Sequence, residues 1–356
     1  MLCYYVTGHG FGHAIRTAQI LKALPPSVPF IVKTTAPERL FREELPGRTF
    51  EYVAAEYDCG CLQTDSVSVL KRETLTRYAE ISRRNLAHLP NEVVWLKACG
   101  VRCVVSDIPS FPLFAARAAS IPSVAVGNFT WHDIYAEYAE TDADKALLAQ
   151  MADEYASATV ALITPLHLAS TPTLFPNAEA VPLVARRGQP IRDVLLRECS
   201  IPSGKHLALL YLGGWGLEID WAALETLTDW VFLLDRPLPK PIANARVFDP
   251  IVLRYADIAA SVDAVVSKAG YGTVTECIAN SVPLIYLPRS GFAEHDALVS
   301  GMNQWGGGIE ISEAAFHAGD WEAALKAALR VQPDPNAFPT NGAKVIADKL
   351  VEICQK

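Results

Sequence analysis

No stretch of the 356-residue sequence approaches the roughly 20 consecutive apolar residues that a membrane-spanning helix needs. The opening residues Met1-Leu2-Cys3-Tyr4-Tyr5-Val6 have neither the basic flank nor the cleavage site of a secretory signal, and read instead as a strand running into a glycine loop. Positive charge is in short supply: 31 Lys and Arg stand against 39 Asp and Glu, a net charge of −8, which argues against the broad basic face of a nucleic-acid binder. There is no Cys-x-x-Cys, and neither Cys59 with Cys61 nor Cys99 with Cys103 has a second pair at zinc-ribbon spacing. The eight scattered cysteines read as the reduced structural thiols of a cytoplasmic protein. Also missing are the Gly-Lys-Ser/Thr of a P-loop, an Asp-x-Asp metal–diphosphate motif at a strand end, low-complexity segments and short-period repeats.

What remains is apolar enough, at 51%, to fill more than one core, and the length exceeds the roughly 250–300 residues at which single cores stop growing. Short β-branched or aromatic runs at 2–6, 30–34, 103–106 and 123–126 alternate with helical patterns at 12–24, 72–87 and 112–119. A second series has strands at 206–212, 230–234, 264–267 and 283–287, with helices at 221–227, 252–260, 273–279 and 293–303. This alternation predicts an α/β protein with βαβ units on parallel sheets. The expected division is a first domain over 1–185, a proline- and glycine-broken hinge over 186–200, and a second domain over 201–335. A C-terminal helix within 336–356 would pack back toward the first domain.

Ligands of such sheets bind beyond the carboxyl ends of the strands, so the loops there carry the chemistry. The first is Gly8-His9-Gly10-Phe11-Gly12-His13, whose glycines allow close backbone approach at a helix N-terminus. Its third fingerprint position holds His13, which disfavours dinucleotide binding. At the start of a helix, where the dipole favours an uncharged imidazole, His13 is a candidate general base, with His9 as the other candidate. Asp107, after the strand at 103–106, would fix the imidazole, or else cap the turn before Pro109. In the second half, Lys268-Ala269-Gly270-Tyr271-Gly272-Thr273 with Glu276 reads as a strand, a glycine turn and a helix opening at Thr273. Gly270, Gly272, Thr273 and Lys268 would hold a diphosphate, and Glu276 would either bind ribose hydroxyls or complete a capping box. Gly213 and Gly214 would let a phosphate approach after the strand at 206–212. Glu294 and His295 would meet sugar hydroxyls, or simply begin a helix.

Asn128, Phe129, Trp131 and His132 would line an acceptor wall, with ordinary packing as the alternative. The segment 58–68 lacks periodicity and reads as a mobile acceptor loop. Lys71, Arg72, Arg77, Arg83 and Arg84 lie on one predicted helix and read mainly as a solvated face, leaving peripheral contact with an anionic acceptor or a membrane surface open.

These residues together resemble the GT-B glycosyltransferases, with MurG and the UDP-glycosyltransferases near in pattern. Gly8–His13, the stretch from Asn128 to Tyr138 and the stretch from Lys268 to Glu276 resemble most the N-terminal glycosyltransferase-like region of plant L-arabinokinases. The resemblance implies two Rossmann-like halves facing across a cleft, an acceptor on the first and a UDP-sugar on the second. It further implies inverting transfer to a hydroxyl, with no required cofactor or metal. It assigns His13 as base, Gly10 and Gly12 to the donor side, Glu276 to ribose and Glu294-His295 to the donor sugar. The last pair departs from the family's Asp/Glu-Gln, which leaves the sugar open, and Lys268 stands where plant small-molecule enzymes carry histidine. No galactokinase-type phosphate loop is present, so kinase activity is not implied. Two alternatives stand beside the transferase: a non-hydrolysing UDP-sugar epimerase and a non-catalytic sugar-nucleotide-binding module.

Overall fold

A computed structural model describes residues 1–63, 69–211, 218–250, 252–288 and 293–355. The chain divides into two compact units, Met1–Val184 with 339–355 and residues Ala293 and Glu294, and 185–288 with His295–Phe338.

The first unit is built on β1 (Leu2–Val6), β2 (Phe30–Thr34), β3 (Glu51–Ala54), β4 (Cys103–Asp107), β5 (Ser123–Gly127), β6 (Val160–Ile163) and β7 (Ala178–Ala180). They form one sheet in the order β3-β2-β1-β4-β5-β6-β7, with every neighbouring pair parallel. Its helices are α1 (Gly12–Ala23), α2 (Glu38–Glu44), α3 (Lys71–Ala98), α4 (Phe111–Ala119), α5 (Trp131–Ala136) and α6 (Asp142–Tyr155). The second unit contains α7 (Arg192–Glu198), β8 (His206–Tyr211), α8 (Trp221–Glu225), β9 (Trp230–Leu234), β10 (Ala245–Val247), α9 (Tyr255–Ala259), β11 (Ala264–Lys268), α10 (Tyr271–Asn280), β12 (Leu284–Leu287), α11 (His295–Trp305), β13 (Gly308–Glu310), α12 (Glu313–His317) and α13 (Glu322–Ala328). Its sheet, β10-β9-β8-β11-β12-β13, is also parallel throughout.

β1 shows why its residues read as one apolar run. Leu2, Tyr4 and Val6 enter the core beneath α1 and α2, whereas Cys3 and Tyr5 enter the core beneath α3 and α4. A strand covered on both faces has no polar side to betray its period. Lys33 interrupts the apolar run of β2: buried, it donates to Glu92 at 2.6 Å and stands 3.7 Å above the Trp95 ring, so its charge is compensated on α3.

After β13 and two short helices the chain returns to the first unit. Leu183 donates its N–H to Pro339 O, Val184 bridges to Asn341, and α14 (Gly342–Gln355) inserts Ile346, Ala347 and Leu350 into the core that holds Leu2 and Ala18. The entry to α14 is tight, because a Cβ on Gly342 would lie 2.1 Å from Pro182 O. Gly342→Ala should therefore cost about 1–3 kcal/mol, as overpacked sites do. An unchanged urea midpoint would show that the 182–184 strap can shift at no cost.

Several expectations change. The helix forecast over 72–87 runs from Lys71 to Ala98 through Pro90. The basic residues on it form the expected solvated face and pair there: Arg72 grips Asp144 with two bonds of 2.7 and 2.8 Å, and Arg77 and Arg84 share Glu56. The first half of the expected mobile loop is fixed: Gly60 N–H donates to buried Asp58, Leu62 N–H donates to Thr74 Oγ1, and Gln63 bridges to Val69. Residues 64–68 lie outside the described residues. All eight cysteines are free thiols. Among the described residues no helix is long and apolar enough to cross a membrane.

Candidate active site

In each sheet the strand order reverses once, between β1 and β4 and between β8 and β11, and the carboxyl ends of those strands frame a crevice. The first crevice receives the loop after β1 and the last residue of β4. Thr7 N–H donates to Asp107 O at 2.8 Å, which holds the two strand ends together. Gly10 adopts a left-handed φ of +71°, and α1 begins at Gly12 with no side chain capping its N-terminus.

His13, in the first turn of α1, places Nδ1 2.8 Å from Asp107 Oδ1. Arg16, one turn further on, points the same way. Its Nε donates to Asp107 Oδ2 at 2.8 Å, its Nη2 to Oδ1 at 2.6 Å and its Nη1 to Asn128 Oδ1 at 2.8 Å. Thr17 adds a hydroxyl donor to Oδ2 at 3.3 Å. Asp107 is wholly buried; burial alone would raise its carboxyl, but the Arg16 charge and hydrogen bonds, helped by His13, hold it at about 2. A carboxylate only accepts hydrogen bonds, so the ring hydrogen of His13 belongs on Nδ1 and the lone pair on Nε2. Nη2 of Arg16, which gives one of its two hydrogens to Oδ1, also lies 3.1 Å from Nδ1; the carboxylate, the closer and charged acceptor at 2.8 Å, decides the tautomer.

His9 lies against a different set of groups. Cys61 N–H donates to its Nδ1 at 3.4 Å, and its ring meets Trp131 edge-on, 5.4 Å between centroids. Thr7 Oγ1 accepts from His9 N–H at 3.3 Å and donates to Asp58 Oδ1 at 2.7 Å. Burial pushes the Asp58 carboxyl up despite the bonds from Thr7 and Gly60.

The residues expected to line an acceptor wall are largely buried. Asn128, Phe129 and Trp131 are 0, 7 and 2% exposed, because Thr130 and Asp133 cap α5 reciprocally and turn position 131 inward. Asn128 serves Arg16, Phe129 meets the His13 ring edge-on at 5.6 Å, and Trp131 stacks on Tyr135. These residues support the histidines from below. His132 alone of the group is half-buried, and burial lowers its imidazole pKa.

In the second crevice Ser267 Oγ donates to Tyr211 O at 2.6 Å across β8 and β11, and Lys268 ends β11 half-buried. Helix α10 opens at Tyr271, two residues earlier than expected, with Gly270 as an N-cap that supplies no side chain. Gly272 and Thr273 therefore lie in the first turn, where backbone N–H groups lack intrahelical partners. Among the described residues nothing beyond its chain neighbours and its own helix stands within 4 Å of a Cβ placed on Gly270. Glu276 falls on the second turn, too far along for a capping box. Its Oε1 accepts from Arg186 Nε at 2.6 Å. Asn280, on the same helix, bonds Arg186 O and Gly188 N–H, which fixes 186–188 along α10.

Glu294 is grouped with the first unit and accepts from Asn128 Nδ2 at 3.4 Å, whereas His295 opens α11 in the second. Gly213 and Gly214 lie outside the described residues. Sequence reasoning missed Arg16, Asp58 and Arg186. The i, i+3 spacing of His13 and Arg16 was the available signal for the first; the Arg186-Arg187 doublet was a faint one for the last.

No family model matches the chain. It is 30% identical over 366 residues to an L-arabinokinase of Arabidopsis thaliana, covering 99% of this chain and 34% of that protein, so it spans about a third of that relative's length. A second similarity, 28% over 182 residues, is to the UDP-N-acetylglucosamine–N-acetylmuramyl-(pentapeptide) pyrophosphoryl-undecaprenol N-acetylglucosamine transferase of Clavibacter michiganensis subsp. michiganensis, covering 46% of this chain and 49% of that one. Among solved structures, the calicheamicin glycosyltransferase CalG4 matches over 100% of this chain and 98% of its own, with a TM-score of 0.65 and 15% identity. With two parallel sheets of this strand order and loops gathered at both switch points, the chain has the GT-B glycosyltransferase fold.

Proposed function

We propose that the chain is an inverting glycosyltransferase that moves a sugar from a nucleoside diphosphate sugar, UDP-linked, to an acceptor hydroxyl. The observation that carries the reading is the His13–Asp107 contact of 2.8 Å, with Arg16 anchoring the carboxylate from its far side. His13 Nε2 takes the hydroxyl proton. The acceptor oxygen forms a bond to the anomeric carbon as the bond from that carbon to the diphosphate oxygen breaks. The diphosphate leaves with the electron pair, and the N-terminus of α10, Thr273 and Lys268 stabilise its charge. A helix end contributes roughly 0.3–2 kcal/mol, so orientation of the reactants supplies most of the acceleration. Glu276 receives the ribose hydroxyls on the oxygen that Arg186 leaves available. The scheme uses no metal and no cofactor.

A thermal-shift screen against UDP-, GDP- and dTDP-sugars tests the donor half. A true donor should stabilise the protein by about 2.7 kcal/mol at a hundredfold excess over Kd. No shift with any nucleotide sugar would refute the reading. Glu276→Gln should weaken UDP-sugar binding about tenfold, the loss of one charged hydrogen bond, while leaving Arg186 an acceptor. Undiminished affinity would remove Glu276 from the donor site. Tight binding with no consumption across an acceptor panel would instead support a sugar-nucleotide-binding module, a reading favoured by the similarity to one third of a longer kinase.

A further inference from the structure

We infer that Cys103 and Cys354 are a reactive thiol pair, which a low-molecular-weight disulfide such as glutathione disulfide converts into a cross-link between α14 and β4. Both residues belong to the first unit, so the bond stands or falls independently of sugar transfer.

Cys103 opens β4 with its side chain wholly buried in the core that α14 completes. Its neighbour Val104 enters the opposite core, where Cys3 and Leu96 pack, so strand alternation directs Cys103 toward α14. On α14, Ile346, Leu350 and Cys354 recur every fourth residue and share one face. The first two lie in that core, and Cys354 packs half-buried at its edge. A side-chain hydrogen bond joins the two thiols. That bond lowers the Cys354 thiol against the opposing effect of burial, and the Arg102 charge adds to it. The same bond, together with burial, pushes Cys103 up. By contrast, burial drives the Cys3 and Cys59 thiols up to about 12. Cys354 is thus the accessible attacker, and Cys103 the protonated partner beside it.

Cys354, once ionised, attacks one sulfur of glutathione disulfide. The S–S bond breaks, and the glutathione thiolate that leaves takes up the proton Cys354 shed. Cys103 then loses its proton and attacks the Cys354 sulfur of the mixed disulfide. The second glutathione leaves with that bond's electron pair and takes up the Cys103 proton. Two protein thiols are oxidised, and glutathione disulfide is reduced to two glutathione thiols. Because Cys103 meets Cys354 at the edge of the core, the second step needs no exposure of β4. The product fastens the last turn of α14, where a helix otherwise frays, to the sheet.

Equilibrating the full chain in glutathione buffers, from wholly reduced to wholly oxidised, then blocking free thiols and mapping peptides by mass spectrometry, reads the bond directly. The expected product joins the peptides that carry Cys103 and Cys354, with the remaining thiols still free. Oxidation should raise the thermal midpoint by several degrees, since a cross-link between residues so far apart in sequence restricts the unfolded chain. It should also slow amide hydrogen exchange across 342–355, and dithiothreitol should reverse both changes. Cys354→Ser, at a half-exposed position, should fold like the parent and show neither change. Glutathione retained on Cys354, a disulfide made by any other cysteine, or no oxidation at any ratio would overturn the inference. A mapped Cys103–Cys354 bond that left exchange in α14 unaltered would overturn its role as a fastening.

Discussion

Replacing His13 with alanine is expected to lower kcat by roughly 10²–10⁴-fold, the usual loss when a positioned general base is removed. The same variant should retain its thermal stabilisation by nucleotide sugar, since the residues proposed to hold the donor nucleotide belong to the second unit. Asp107→Asn should lose a comparable amount for a different reason. Oδ1 accepts from both Arg16 and His13, and Oδ2 from Arg16 and Thr17. An amide offers one oxygen instead of two, so an N–H must face either Arg16 or the imidazole, and the ring can no longer be held with its lone pair on Nε2. Steady-state UDP release with each variant measures both effects. A His13→Ala enzyme with the parent's kcat would dispose of the histidine base.

Arg16→Met should destabilise the protein by roughly 3–5 kcal/mol, because it leaves a buried carboxylate without its counter-charge. The pH dependence separates this cause from simple loss of packing. In the parent, Asp107 is held at about 2, below the roughly 3.9 of an unfolded aspartate, so its contribution to stability is present above about pH 4 and declines as the pH falls toward 2. Without Arg16 the effect of burial prevails and the folded-state value rises above the unfolded one. The variant's penalty is then largest at neutral pH and shrinks in acid, where the carboxyl is protonated in both states. Urea unfolding at about pH 7 and about pH 4 reads the difference. An equal gap at the two pH values would mean that Arg16 matters for its volume alone.

Much of this architecture was legible in the sequence, and the parts that were not have identifiable physical reasons. Central strands such as β1 and β11 declare themselves because both faces are buried. The edge strands β3, β7, β10 and β13 are three or four residues long and carry half-buried or exposed side chains, so neither length nor apolarity marks them. The helical pattern was read only to residue 87, yet α3 continues through Pro90 to Ala98. His13 and Asp107 were readable because strand-end loops are where such chemistry concentrates. Arg16 was not, because an arginine on an amphipathic helix ordinarily faces water; only the fold shows that its neighbour at that spot is a carboxylate from β4. Asp58 was hidden by the irregular sequence around it, and irregularity was read as mobility. Here the irregular turn is bonded at nearly every step, to Thr7, His9 and Thr74. For Asn128, Phe129 and Trp131 the neighbourhood was legible and the burial was not, since the capping box of α5 decides which way position 131 faces.

The seating of α14 on the first unit has a bearing on how the protein is made. The groove that receives Ile346, Ala347 and Leu350 is lined by residues near the start of the chain, among them Leu2 and Ala18. On the ribosome those residues emerge before α14, and an apolar strip of α1 stays uncovered until translation has passed through the whole intervening unit. The helix that begins with Gly12 and His13 therefore gains its full support only when α14 arrives, so a nascent chain halted short of residue 339 would present an incomplete, apolar first unit to the chaperones around it.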